Sequence, residues 1–473
     1  MIRVDNLKSK ILDINLLWEV SEANEELDKN IFRVFQGKLL QTFYNSTSEI
    51  PTLYIGIGNK EELDYLTIKE IFAKIAKEIK KMNVESCSIN IEKIYEIHQI
   101  NTIYHTIEGL ILGGYSYSIN EDDNNLSCEI SLYGTDEKDI SDVNHIIEEM
   151  SNVMDGVIFA RNVVNCPGNK LRPNDFVNEI SKFMQDVDVE VEVLNYEKLK
   201  EINMDALLAV GDSSEFKPYL AVVRYRGNKE SKEVIGLVGK GVTCDTGGYC
   251  LKPSGSMAGI RGDMAGGAAV IGAIHSIAKN KIKTNAVAIV PICENRISES
   301  SMLVGDVINS YSGKTIEILN TDAEGRLILA DAVSYGIKNE NITKVLDIAT
   351  LTGAVVTLLG FSIGGVMCDN DELFNKFEKA YEKTCERYLR LPFYKEHKDM
   401  IKSDVADIKN LGKNHCGTLT AGLFIREFAD KKPWIHLDIA GTAWTEPPVF
   451  EYQSKGATGA GVTTIYELCK GGI

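Results

Sequence analysis

Apolar positions recur along this chain with two different periods. Between Glu61 and Met82, Leu63, Leu66, Ile68, Ile71, Phe72, Ile75 and Ile79 follow the spacing of one helix face, which predicts an amphipathic helix. Asp139 to Val164 predicts a second, longer helix with Ile147, Met150, Val153, Met154, Val157, Ile158 and Ala160 on its apolar side; it stops at Asn165-Cys166-Pro167-Gly168-Asn169. Thr52–Gly58, Cys87–Ile91 and Cys128–Tyr133 predict strands, and the polar stretch Asn120 to Asn125 predicts a loop.

Beyond the long helix the pattern changes. Val234–Val238, Ala286–Val290 and Val345–Ala349 are short, nearly continuous apolar runs, the last with Asp347 inside it. Trp434–Ala440 is similar but more polar, and Thr315–Leu319 reads as one more strand. Such runs, bounded by glycine or polar clusters and alternating with helical patterns, predict largely parallel buried strands with helices on both faces. A chain of 473 residues exceeds one ordinary core. The expected architecture is therefore α/β throughout: a smaller N-terminal domain over 1–150, serving oligomerisation or access, and a larger catalytic domain over 151–473. The connection is placed between 135 and 160, and no internal repeat interrupts either part.

Composition narrows the partners. A net charge of -17 disfavours nucleic acid and anionic membranes. The first residues, Met1 to Lys8, hold no apolar signal core, and no run of about 18 apolar residues occurs, so the expected location is cytoplasmic. The ten cysteines are scattered without a C-x-x-C pair, which implies neither a disulfide scaffold nor a zinc finger.

The chemistry gathers in a few glycine-rich stretches. Asn320-Thr321-Asp322-Ala323-Glu324-Gly325-Arg326-Leu327 packs two carboxylates and a guanidinium together. Upstream lie Lys240, Asp245 and Lys252, with Asp263 shortly after. Lys240 and Asp245 follow the first apolar run, and ligands in open α/β sheets sit beyond the carboxyl ends of strands. Asp245, Asp263, Asp322 and Glu324 are hard oxygen ligands that would repel one another if crowded without cations. Two divalent ions about 3.5–4 Å apart would remove that repulsion and activate a shared water. Lys240, with its amine neutral through burial and neighbouring cations, suits a metal ligand. A phosphate-loop reading of Gly239-Lys240 fails, since Gly241 replaces the required hydroxyl residue. Lys252 suits an oxyanion, or else a solvated surface. The Arg326 fork suits a planar anion such as bicarbonate, or else a salt bridge to a nearby acid.

Gly360-Phe361-Ser362-Ile363-Gly364 matches a serine-hydrolase nucleophile elbow, the alternative reading. Its partners His436 and Asp438 stand in the wrong order, and His397 and His415 have nothing to distinguish them. With seven histidines and no H-E-x-x-H, a histidine-ligated zinc protease is disfavoured.

Taken together, these residues resemble the leucyl (cytosol) aminopeptidase family. Asn320–Leu327 matches its signature octapeptide. The likeness runs over 150–468 through Asn165-Cys166-Pro167, Ala206–Gly211, Ser312–Thr315, Ala349-Thr350-Leu351-Thr352-Gly353, His436–Trp444 and Gly456–Gly459. The resemblance implies two divalent ions, Zn²⁺ or Mn²⁺ with Co²⁺ or Mg²⁺ as alternatives. Asp245, Asp322 and Glu324 would hold the more exchangeable ion; Lys240, Asp245, Asp263 and Glu324 would hold the tighter one. It further implies that Lys252 binds the substrate carbonyl, that Arg326 anchors a bicarbonate general base, and that Ile260, Thr350 and Gly353 contact substrate. Peptides with a free N-terminus are the implied substrates, a homohexamer the implied assembly, and DNA binding an additional role known for some members. Thr246 replaces the usual serine, Ile260 the usual pocket methionine, and 296–306 lacks the usual Arg-Pro. These departures bear on substrate preference and not on the metals.

Overall fold

The computed structural model describes residues 1–4, 8–19, 34–119, 126–413 and 415–472, with the main chain alone at 258. Asn120–Asn125, the expected polar loop, lies outside the described residues. The chain divides into two compact units: Met1–Met154 with Pro447–Ser454, and Asp155–Glu446 with Lys455–Ile473.

The first unit is built on a six-stranded sheet of β1 (Ile2–Val4), β2 (Asp13–Leu17), β3 (Thr42–Asn45), β4 (Thr52–Gly56), β5 (Ser86–Asn90) and β6 (Glu129–Tyr133), in the order β1-β6-β5-β2-β4-β3. All neighbours are parallel except the edge pair of β3 and β4. The expected helix over Glu61–Met82 occupies Tyr65–Met82, because the Asp64 carboxylate accepts from Thr67 N at 2.7 Å and caps its start. A second helix, Asn101–Gly114, escapes the periodicity because it is buried on nearly every side. The two helices hold a buried ion pair, Lys69 Nζ to Glu108 Oε1 at 2.6 Å.

The second unit carries a nine-stranded sheet. Its strands are β7 (Glu190–Leu194), β8 (Tyr219–Arg226), β9 (Ile235–Gly239), β10 (Gly241–Asp245), β11 (Asn285–Asn295), β14 (Lys344–Ala349), β15 (Gly364–Cys368), β16 (Tyr388–Arg390) and β18 (Trp434–Asp438). The order is β16-β15-β18-β14-β9-β11-β8-β7, with β10 also on β11. The centre, β18-β14-β9-β11, is parallel, and every residue of β9, β10, β11 and β18 is buried. The four apolar runs of the sequence are these central strands. Thr315–Leu319 behaves differently. Only Thr315–Glu317 (β13) is a strand, and it joins a separate three-stranded sheet with β12 (Val307–Asn309) and β17 (Ile408–Lys409). Asp322 and Glu324 therefore follow a satellite sheet rather than the central one.

Two local features shape the region beyond the central strands. β9 and the first residues of β10 run along one edge of β11 in one register, interrupted at Lys240, before an irregularity between Val242 and Cys244 shifts it. Lys240 turns to the β14 side, where its N–H donates to Ile348 O at 3.1 Å, and its carbonyl accepts from Gly267 N at 2.7 Å. That bond draws the helix Ala265–Lys279 onto the strands. A Cβ on Gly266 would lie 2.1 Å from Ile348 O, and one on Gly239 would lie 2.4 Å from Gly266 O.

Gly266→Ala should therefore destabilise the second unit by about 1–3 kcal/mol, because the backbone at the clash cannot yield without moving a strand. Gly255→Ala, at a position with nothing within 4 Å, should stay within about 0.5 kcal/mol of the parent. Denaturant unfolding of both variants measures the difference; equal midpoints would refute the packing argument.

Candidate active site

Every charged residue singled out in the sequence converges beyond the carboxyl ends of β9, β10 and β14. Lys240 follows β9, Asp245 ends β10, and Thr350 follows β14. Asp263 stands just before the Ala265–Lys279 helix, and Glu324 and Arg326 open the helix Gly325–Asn339. Carboxylate oxygens of Asp245, Asp322 and Glu324 lie within 4.8 Å of one another.

Two lysines interleave with these acids. Lys240 Nζ lies 2.6 Å from Asp263 Oδ2 and 2.8 Å from Glu324 Oε1. Neither approach has hydrogen-bonding geometry; the amine donates instead to Thr350 O at 3.1 Å. Asp263 Oδ2 and both Glu324 oxygens are consequently buried without a hydrogen-bond donor. Lys252 Nζ sits 2.7 Å from Asp245 Oδ2 and also contacts Asp322 Oδ1.

Burial and the charge of Asp245 push Asp263 up to about 6 and Glu324 up to about 8, against the opposing pull of Lys240. Asp322 is raised for the same two reasons. Lys240 departs from expectation. Burial alone would depress its pKa, but Asp263, Glu324 and Asp245 outweigh burial and hold it above its ordinary value, because its neighbours among protein groups are carboxylates and not cations. Lys252 is raised in the same way by Asp245 and Asp322.

Buried carboxylate oxygens lacking donors are costly unless a cation completes them. The four carboxylates therefore fit divalent ions with oxygen ligands, and Lys240 would add a nitrogen ligand once bound ions displace its proton. Arg326 fits an anion by a parallel argument. Its guanidinium is 6% exposed, Nη1 donates to Asn410 O at 2.8 Å, and Nε has no partner among the described residues. Burial lowers its pKa to about 10, against the pull of Glu324 and Asp438, so it stays charged at neutral pH. The expected alternative, a salt bridge to a nearby acid, is not formed among the described residues.

Neutral groups, of which the sequence singled out only Thr350 as a site residue, fix the charged ones. Asn295, at the end of β11, donates from Nδ2 to Asp245 Oδ1 at 2.9 Å and to Thr321 O at 3.0 Å. Thr321 Oγ1 donates to Gly247 O at 2.6 Å. Gly247 has φ +87°, and a Cβ there would lie 2.8 Å from Asp322 Oδ1, so only glycine fits. Thr350 Oγ1 donates to Asp263 Oδ1 at 2.7 Å, so this residue orients a carboxylate. A cavity of about 320 Å³ opens beside the acids, walled by Ile260, Thr350, Phe361, Ala440, Ala443 and Trp444. Gly353 begins the Gly353–Leu359 helix and is not in that wall. A position at the carboxyl end of an apolar run was the only sequence signal for Asn295.

The serine-hydrolase alternative fails on topology. Ser362 lies between a helix, Gly353–Leu359, and a strand, β15, whereas an elbow needs strand, turn, then helix. His436 Nδ1 is 2.5 Å from Asp347 Oδ1 inside the sheet, and Asp438 accepts from Leu351 N and Thr352 Oγ1.

Comparison with known proteins agrees with this geometry. The catalytic domain of the cytosol aminopeptidase family matches residues 158–466, and the N-terminal domain of the same family matches 35–121. A probable cytosol aminopeptidase of Clostridium perfringens is 38% identical over 459 residues, covering 94% of this chain and 93% of the relative. One from Clostridium tetani is 40% identical, covering 96% and 95%. Among solved structures, the bottromycin maturation enzyme BotP in complex with Mn superposes with a TM-score of 0.87 at 27% identity, covering 98% of this chain and 99% of that one.

Mn²⁺ should raise the unfolding temperature of the protein and EDTA should reverse the rise, since an ion at 100 times its Kd stabilises the folded state by about 2.7 kcal/mol. Glu324→Gln removes one charge at nearly constant volume and should lose most of that rise. Equal thermal shifts in the two proteins would place the ion elsewhere.

Proposed function

The chain belongs to the cytosol aminopeptidase family, and from that premise we propose that it is a dinuclear aminopeptidase releasing leucine-like or other apolar residues from peptides with a free N-terminus. The observation that carries the reading is the set of buried, donor-less oxygens of Asp263 and Glu324 beside Asp245 and Asp322. Asp245, Asp322 and Glu324 would hold the more exchangeable ion, and Lys240, Asp245, Asp263 and Glu324 the tighter one. Zn²⁺ or Mn²⁺ is the proposed metal, and the Mn complex of BotP supports the latter. When bound, the ions supply Lewis acidity and lower the pKa of a water, and a bicarbonate supplies a general base.

The protein's own groups do the rest. Lys252, at the open side of the cluster, offers its ammonium to the scissile carbonyl oxygen as negative charge develops there. The partnerless Nε–H of Arg326 suits one oxygen of a planar anion, and its charge keeps that anion deprotonated. The apolar cavity walls take the first side chain and exclude water around it. Asp263, fixed by Thr350, adds negative charge that favours a substrate's free amine over a blocked one. We further propose a homohexamer assembled through a catalytic domain spanning 151–473, with the 1–150 domain regulating access, and a cytoplasmic location, a reading that the word cytosol in the relatives' names supports. Among the described residues no helix is long and apolar enough to cross a membrane.

Unblocked leucyl peptides should be cut from the N-terminus and their N-acetylated forms should resist. Prolonged chelation should abolish the reaction, and Zn²⁺, Mn²⁺ or Co²⁺ should restore it. Efficient cleavage of acetylated peptides, or full activity in metal-free protein, would overturn the assignment. Lys252→Ala should keep its metal yet lose about 10²–10³-fold in kcat.

The β-branched Ile260 is a stiffer wall than methionine. Ile260→Met should reorder the preference among apolar N-terminal residues without changing metal content. An unchanged substrate panel would remove Ile260 from the specificity determinants.

A further inference from the structure

Asn410 follows β17 in a stretch, Ile408-Lys409-Asn410-Leu411, that carries no sequence motif of its own, yet it is fully buried and bonded on every side. Its N–H donates to Glu317 O at 3.0 Å, which anchors it to β13. Its Oδ1 accepts from Leu319 N at 2.8 Å and from Asn320 N at 3.3 Å, and its Nδ2 donates to Asn320 O at 2.7 Å. Its carbonyl accepts the Arg326 Nη1 bond already described. Asn320 in turn accepts from Asp322 N through Oδ1 at 2.8 Å.

We propose that Asn410 is a positioning residue that ties the Arg326 guanidinium to the loop carrying Asp322 and Glu324, fixing the spacing between the anion-holding and cation-holding halves of the site. The inference rests on the aminopeptidase reading for its catalytic consequence, but not for its structural one. The Leu319-Asn320 turn presents two N–H groups and one carbonyl to a buried point, and an asparagine amide satisfies all three. The opposite side of the same residue gives Arg326 its only hydrogen bond to protein among the described residues. Any shift of Asn410 must therefore move Asp322 and Arg326 together. Aspartate would keep the acceptor oxygen but lose the donor, and would set a carboxylate oxygen against the Asn320 carbonyl. Leucine would preserve much of the volume and remove every side-chain bond.

The test uses the full chain as Asn410→Asp and Asn410→Leu, with N410D kept as the informative variant should N410L fail to fold. Three quantities are measured: Mn²⁺ affinity of the metal-free protein by chelator competition, kcat and KM on an unblocked leucyl peptide, and unfolding temperature. N410D should bind Mn²⁺ about 10–100-fold more weakly, the usual effect of losing a partner that orients metal ligands. At saturating Mn²⁺ its kcat should still fall while KM stays near the parent value, because Arg326 is displaced. In a cycle with Arg326→Met the two losses in kcat should overlap rather than multiply, as expected for groups that act through one another. A lower unfolding temperature with Mn²⁺ affinity and kcat both within about twofold of the parent would reduce Asn410 to a structural residue. Fully multiplicative losses would break its link to Arg326. A parent protein with no peptidase activity would sink the aminopeptidase reading, and the Mn²⁺ comparison alone would then decide whether Asn410 holds the loop.

Discussion

Four carboxylates gathered round two ammonium groups in a largely buried pocket are the constraint on which this catalytic unit is built. Glu324 is 1% exposed and Asp245 is 2% exposed, so water screens little of their mutual repulsion. Lys240 and Lys252 offset part of it. Among the described residues, Asp263 Oδ2 and Glu324 Oε1 have only the Lys240 ion pair and Glu324 Oε2 has no hydrogen bond, and both acids keep a raised pKa. Such a cluster costs stability in the protein alone, and binding sites commonly carry a cost of this kind. The surrounding fold must hold it together without help from the charges themselves.

The means are mostly uncharged. Strand ends supply Lys240, Asp245 and Thr350, and main-chain bonds such as Lys240 N to Ile348 O and Asp245 N to Ile260 O do not depend on the ionisation of the site. The Lys240 carbonyl accepts from Gly267 N where the β9–β10 edge is interrupted, which seats the next helix against the strands. Asn295 holds Asp245 to the Thr321 loop from one side, while Asn410 holds the same loop from the other. An asparagine suits both places because it gives and accepts hydrogen bonds without adding charge to a crowded electrostatic field. The uncharged polar groups that fix the carboxylates are thus amides and hydroxyls on rigid elements, and the glycines are where backbone or carboxylate must come close.

The sequence exposed the charged half of this arrangement far better than the neutral half. Ligand-type residues in glycine-rich loops after apolar runs can be read from one chain, because hard oxygen donors at strand ends are uncommon and chemically specific. The central strands were equally plain, being short runs buried on both faces. Asn410 was not legible, since its partners lie about ninety positions away and depend on β17 pairing with β13. The Asn101–Gly114 helix hid for a different reason: burial on all sides erases the amphipathic period that reveals surface helices. Thr315–Leu319 looked like any central strand because alternation and burial alone do not say which sheet a strand joins. The state of Lys240 turns on its surroundings. A lysine after an apolar run suggests a depressed pKa, and only the folded arrangement shows three carboxylates reversing that sign.

The cavity wall is separable from the ion-holding set only in part. Phe361, Ala443 and Trp444 reach the cavity from a turn and a loop that supply none of the charged groups, so these positions can vary in size without disturbing the carboxylates. Ile260 has less freedom. Its carbonyl accepts from Asp245 N at 3.2 Å, and Asp263 lies three residues further along the same segment. A side chain at 260 that forced the main chain to move would therefore shift two carboxylates as well as the wall. Isoleucine differs from methionine in branching more than in bulk, which changes the shape of the cavity while leaving that main chain where it is. Preference for the first side chain can drift at this position only through exchanges the backbone tolerates, and larger changes in specificity have an easier route through 361, 443 and 444.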